Sequence, residues 1–196
     1  MTARKYLYIL IFFIIYNNFT FAQTYFDWTK NFGSTGIEQG NAISTDSLGN
    51  IYLTGFFSET ISFGNNITLE SSGNSDIFIA KFNSLGNCIW ARKAGGTSFD
   101  ISNDIAVDKN FNSYITGYFN DTLDFGNGIT LTSKGMQDFF IAKFDYLGIC
   151  QWAFNFGSIY DDEANAIVVD SDNNLYLTGS FYSSISFGNN ILINSN

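Results

Sequence analysis

Trp28, Trp90 and Trp152 stand 62 residues apart, and the spacing is not theirs alone. Gly33/Gly95/Gly157, Asn41/Asn103/Asn165, Asp46/Asp108/Asp170, Thr54/Thr116/Thr178 and Phe63/Phe125/Phe187 keep the same 62-residue offset, with no insertion or deletion. Laid over each other, residues 28–89 and 90–151 agree at about 29 of 62 positions. A chain written this way has to fold as equivalent units that bury their faces against one another.

Within one unit the apolar runs are short, rich in β-branched and aromatic residues, and bounded by glycine and asparagine. In the first unit they cover 41–45, 51–57, 76–82 and 88–93, each of strand length. Asp46-Ser47-Leu48-Gly49-Asn50 and Asn83-Ser84-Leu85-Gly86-Asn87 carry the side chains of tight turns, which predicts hairpins and an antiparallel sheet. The longer connector 58–75 holds Ile61 to Leu69 around a central Gly-Asn-Asn, which predicts a small extra hairpin. The run from Asp76 to Phe82 is apolar on both alternating faces, so each sheet must be covered twice. No segment after residue 22 has helical periodicity, so the cover is a neighbouring sheet. The fold class expected is therefore all-β, a β-propeller made of 62-residue four-stranded antiparallel blades, with 41–45, 103–107 and 165–169 innermost. A linear β-solenoid usually has much shorter coils and would not need two hairpin turns per repeat.

Asn50-Ile51-Tyr52-Leu53-Thr54-Gly55-Phe56, Phe63-Gly64, the run from Asp76 to Phe82, Leu85-Gly86, Trp90 and Gly95-Gly96 come in one order at fixed spacing. In this the chain resembles the bacterial β-propeller repeat called SBBP over nearly all of its length after residue 22. The resemblance implies a secreted or surface-attached bacterial protein, often with a C-terminal sorting or adhesion module, and it implies no particular chemistry.

The third copy keeps Asn174 to Gly179 and Phe187-Gly188 but reaches Asn196 before its Asp-x-Phe run. The expected layout is the last strand of a preceding blade at 25–32, blades at 33–94 and 95–156, and a partial blade at 157–196. That makes the propeller incomplete and open in this chain, either as the N-terminal part of a product with further blades downstream or as a protomer that closes by association. Residues 1–22 read as a secretory signal peptide cut after Ala22. Arg4 and Lys5 precede an apolar run from Leu7 to Ile15 broken by Tyr8, and Thr20-Phe21-Ala22 ends on small residues. A membrane span needs about 20 apolar residues, and Asn17 and Asn18 end this run well short of that. The expected location is secreted, extracellular or at the cell surface, with no membrane insertion after cleavage.

Cleavage leaves seven of nine basic residues against eighteen acids, a net charge of −11. Such a surface repels phosphate backbones, which argues against nucleic acid as a partner. Histidine is absent, which removes imidazole-activated nucleophiles and imidazole metal ligands. Cys88 and Cys150 occupy equivalent places in successive units, too far apart for a disulfide, and are expected as free, half-buried thiols.

Glu38, Asp100 and Asp162 also fall in register, each three residues before Asn41, Asn103 and Asn165. On a propeller these six side chains would ring one mouth of the channel, where they either form a cation or glycan site or bond loop backbone donors. Asp170-Ser171-Asp172-Asn173-Asn174 alternates oxygen ligands as a calcium loop does, but lacks the downstream glutamate, so calcium is the one cofactor worth testing. The regular place of the tryptophans in a strand suits packing between blades better than a sugar-stacking ladder. Two functions fit. One is a non-enzymatic scaffold that binds protein or glycan; the other is a polysaccharide hydrolase or lyase using carboxylates at the channel mouth. Acid/base chemistry needs partners in different environments, and these acids repeat nearly symmetrically, which favours binding.

Overall fold

The computed structural model describes residues 29–33, 36–188 and 190–195. The expected leader at 1–22, Trp28 and most of the expected strand at 25–32 lie outside the described residues. All regular structure among the described residues is β-strand. The first unit holds β1 (Glu38–Thr45), β2 (Ile51–Phe57), the short β3 (Thr60–Ser62) and β4 (Thr68–Glu70), β5 (Asp76–Phe82) and β6 (Cys88–Ala94). The second holds β7 (Asp100–Val107), β8 (Ser113–Asp124), β9 (Thr130–Phe144) and β10 (Cys150–Phe156). The third holds β11 (Glu163–Val169), β12 (Leu175–Ser180), β13 (Ser184–Ser186) and β14 (Leu192–Asn194).

β1-β2-β5-β6 form one four-stranded sheet and β7-β8-β9-β10 a second, antiparallel throughout. β11 pairs with β12 and β13 with β14. β1 and β7, β2 and β8, and β6 and β10 each begin 62 residues apart, so the sequence period is carried into the strands. None of the sheets closes on itself, and the arrangement is compatible with a propeller-like repeat fold. The extra hairpin is present as β3–β4. In the second unit it is not separate, because β8 and β9 run on into it through a bulge between Asn120 and Thr122.

One aspartate builds each first turn. Asp46 Oδ1 accepts from the amides of Leu48 and Asn50, and Oδ2 from the Asn50 side chain and the Tyr52 hydroxyl. Asp108 does the same with Asn110, Asn112 and Tyr114, and Asp170 with Asp172, Asn174 and Tyr176. Burial works against ionisation of Asp46 and Asp108, but the bonds from Asn50 and Asn112 outweigh it and hold both carboxyls below the usual range. This local bonding is why Asp-x-x-x-Asn-x-Tyr recurs in every unit.

Every residue of β5 is buried. One face of the first sheet, with Tyr52, Ile77, Ile79 and Trp90, packs on Ile115, Phe140, Ala142 and Phe144 of the second. Its other face, with Phe78, Ala80, Phe82 and Cys88, lies under Phe32 and the hairpin residues Ile61 and Phe63. Trp90 crosses the junction between units. Its indole N–H donates to the Tyr146 carbonyl at 3.1 Å, and the ring lies against Gly148 in the turn of the next sheet. Cys88 and Cys150 are free, and both are buried rather than half-buried, since the outer strands are covered at those positions. Burial raises their thiol pKa values to about 11 and about 12, which makes them packing groups rather than nucleophiles.

Candidate functional site

The inner strands begin at Glu38 and Asp100, three residues before the asparagines at which the sequence would start them. The reason is a bulge. Asn41, Asn103 and Asn165 are the extra residues, left without a partner between Gly40 and Ala42, Ser102 and Asp104, and Ala164 and Ala166. The bulge swings the preceding carbonyl toward the adjacent strand. A Cβ on Gly55, Gly117 or Gly179 would lie 1.9 to 2.1 Å from the oxygen of Gln39, Ile101 or Glu163. Close approach of backbone therefore explains the Thr-Gly pair in each unit. The threonine beside it turns its hydroxyl to the next strand, Thr54 to Phe78 O at 2.8 Å and Thr116 to Phe140 O at 2.6 Å.

Freed from its own sheet, the bulged asparagine reaches the next one. Asn41 Nδ2 donates to Ser102 O at 2.9 Å, and Asn103 Nδ2 donates to Ala164 O at 3.0 Å and to Glu163 Oε1 at 2.9 Å. Asp104 adds a second link in that junction, accepting from the Ile167 amide at 2.7 Å. Asn165, in the third unit, is exposed.

The three acids occupy equivalent places but not equivalent environments. Asp162 is fully buried and accepts from the Ser158 amide with one oxygen and from the Tyr182 amide, at 2.9 Å, with the other. Asp100 is fully buried too, and its Oδ2 accepts from the Gly96 amide at 2.7 Å. Among the described residues its Oδ1 has no well-formed hydrogen bond, and the Asn120 amide, which donates to the Phe99 carbonyl at 3.2 Å, still favours the charged carboxylate. Burial pushes the Asp100 carboxyl up to about 7; the Gly96 amide opposes the rise and the nearby Asp76 charge adds to it. Glu38 is partly buried, with its carboxylate against the backbone of Gly33. Among the described residues no three carboxylates, thiols or imidazoles gather closely enough to hold a metal ion. The structure thus brings Asn41 to the second sheet and Asn103 to the third, without bringing Glu38, Asp100 and Asp162 to one open site.

Two further acids at the same end escaped the sequence reading. Asp76 accepts from the Ser71 hydroxyl and Ser72 amide and pairs with Lys93 at 3.0 Å. Its equivalent, Asp138, accepts from the Lys134 amide and the Asn155 side chain. Their signal was present, because each opens the Asp-x-Phe-x-Ala-Lys-Phe run at the 62-residue offset. Above these bonded groups the connectors expose apolar side chains: Ile37 is 68 %, Phe99 53 % and Tyr160 49 % accessible. These stand one or two residues before Glu38, Asp100 and Asp162. The calcium-like segment from Asp170 to Asn174 is the third turn, its first aspartate already bonded as described.

No family model matches the chain. It is 27 % identical over 181 residues to an uncharacterized WD repeat-containing protein of Acanthamoeba polyphaga mimivirus, a match covering 78 % of this chain. It is 25 % identical over 139 residues to the regulatory protein FlaEY of Caulobacter vibrioides, covering 69 % of this chain. The matched stretches span 13 % and 15 % of those relatives' own lengths.

Proposed function

We propose that the chain is a secreted, surface-associated propeller module of SBBP-type 62-residue blades, acting as a non-enzymatic scaffold that binds a protein partner. The observation that carries this reading is the split at the connector end of the sheets. Polar side chains there bond backbone, as Asp162, Asn41 and Asn103 do, while Ile37 and Phe99 face solvent at equivalent positions and Tyr160 does so one residue before the third equivalent, Asp161. Apolar groups exposed on successive connectors suit contact with another protein. Similarity to a WD repeat-containing protein supports both the blade architecture and the scaffold role. Export follows from the Arg4-Lys5 start and the apolar run to Ile15.

The test compares the parent with an Ile37→Asp, Phe99→Asp, Tyr160→Asp variant in cross-linking on intact producing cells, beside a glycan array and a reducing-sugar release assay. Expected are a discrete cross-linked protein lost in the variant, and no sugar release. Sugar release abolished by Asp100→Asn would replace the scaffold with a hydrolase. Glycan capture unaffected by the triple variant would move the binding surface away from these connectors.

A further inference from the structure

β12 is hydrogen-bonded to β11 on one side and, among the described residues, to no strand on the other. Beside this edge runs an apolar groove of about 450 Å³ whose walls include Phe139, Ile141 and Trp152 from the second sheet and Leu177, Ile185 and Phe187 from the third unit. The two preceding units show what fills the equivalent space. There β5 and the second half of β9 pair with β2 and β8, and Phe140, Ala142 and Phe144 of β9 pack on Ile77, Ile79 and Trp90. The aromatic of the small hairpin packs on the same strand, Phe63 on Phe78 and Phe82, and Phe125 on Phe140 and Phe144. In the third unit the corresponding Phe187 keeps the contact with Phe156 that Phe63 makes with Phe32, and it also rests on Phe139.

The polar fittings recur as well. Lys81 of β5 reaches Asp46 at 3.6 Å and lies over the Tyr52 ring at 4.7 Å, and Lys143 of β9 lies over Tyr114 at 5.5 Å. Their counterparts Asp170 and Tyr176 are bonded to each other, with Tyr176 56 % exposed. Thr178, the counterpart of Thr54 and Thr116, is exposed.

We infer that the edge of β12 and this groove are an acceptor for an extended segment reading Asp-φ-Phe-φ-Ala-Lys-Phe, where φ is apolar. The segment adds antiparallel to β12, as β5 adds to β2. Its Phe, Ala and Phe enter the groove, its lysine meets Asp170 and Tyr176, and Thr178 bonds the carbonyl of its first phenylalanine. None of Ile37, Phe99 and Tyr160 lines this groove, so the acceptor stands whether or not those residues bind protein.

The probe is a labelled synthetic peptide of residues 76–94 with Cys88→Ser, titrated into the purified chain by fluorescence anisotropy, with a scrambled peptide as control. Saturable binding of the ordered peptide and none of the scrambled one is expected. Asp170→Lys should weaken it about fivefold, as a lost and reversed exposed ion pair does, and a peptide carrying Lys81→Glu should recover part of that loss. Equal binding of both peptides, or no binding of either, overturns the inference. So does binding indifferent to Asp170→Lys and to a Leu177→Glu change in the groove wall.

Discussion

Gly117→Ala should cost at least about 4 kcal/mol of stability, the range reserved for specific steric faults in a core. The added methyl would sit 2.0 Å from the Ile101 carbonyl oxygen and 2.9 Å from the Ser102 Cα, both backbone atoms of the adjacent strand. Relief would require undoing the bulge at Asn103, and with it the bonds from Asn103 to Ala164 and Glu163 that join the second sheet to the third unit. Gly126→Ala supplies the contrast. Gly126 has a φ of +73°, and an added methyl there would meet no neighbour within 4 Å, so its cost is the left-handed backbone alone, about 1 kcal/mol. Urea unfolding of the two variants separates the causes. A Gly117→Ala protein within about 1 kcal/mol of the parent, on the scale of ordinary substitutions, would mean that the inner strand does not bulge there.

Stability should also rise as the solution is acidified from pH 8 to pH 5, and Asp100 should be the main reason. Its carboxyl is raised from 3.8 to about 7 by burial, so between those values the folded chain holds a proton that the unfolded chain has released. Stability then falls as pH rises through that window and is flat above it, a change on the order of 4 kcal/mol at 1.36 kcal/mol per unit. Asp138 is also raised by burial and acts in the same direction. Asp46 and Asp108 are held low by their turn bonds and act in the opposite direction, but below about pH 4, where they protonate. Asp100→Asn should therefore raise the melting temperature at pH 8 and flatten the slope between pH 5 and pH 7. A variant with the parent's slope would place the proton elsewhere.

The sequence made the hairpins legible because each turn is encoded locally, by an aspartate or asparagine and the groups two and four residues on. The double coverage of β5 was legible for a similar reason, since alternation fails where both faces are dry. The bulge was not. Asn41 looks like any asparagine near a strand start, and its contact is with Ser102 in the next unit, which no local pattern contains. Its trace was the shared register of Asn41 with Gly55, a bulge on one strand and the space it needs on the next. The difference between Asp100 and Asp162 was equally hidden. Both are aspartates at one repeat position, yet the Tyr182 amide bonds Asp162 at 2.9 Å, while its counterpart at Asn120 donates to the Phe99 carbonyl and, among the described residues, leaves Oδ1 of Asp100 without a well-formed bond. Symmetry of sequence placed the acids and did not fix their surroundings.

Asp100 and Asp162 accept from backbone amides, and Asn41 and Asn103 donate to backbone carbonyls of the next unit, which supports the proposal that the repeated side chains join and tie down units. What decides the matter is the melting temperature of the parent and of a Glu38→Gln, Asp100→Asn, Asp162→Asn variant, each with and without millimolar calcium. A ligand held by the native state stabilises it by RT ln(1 + [L]/Kd). Expected is no calcium-dependent shift in either protein. A rise in the parent that disappears in the variant would refute the structural role and make these carboxylates a cation site.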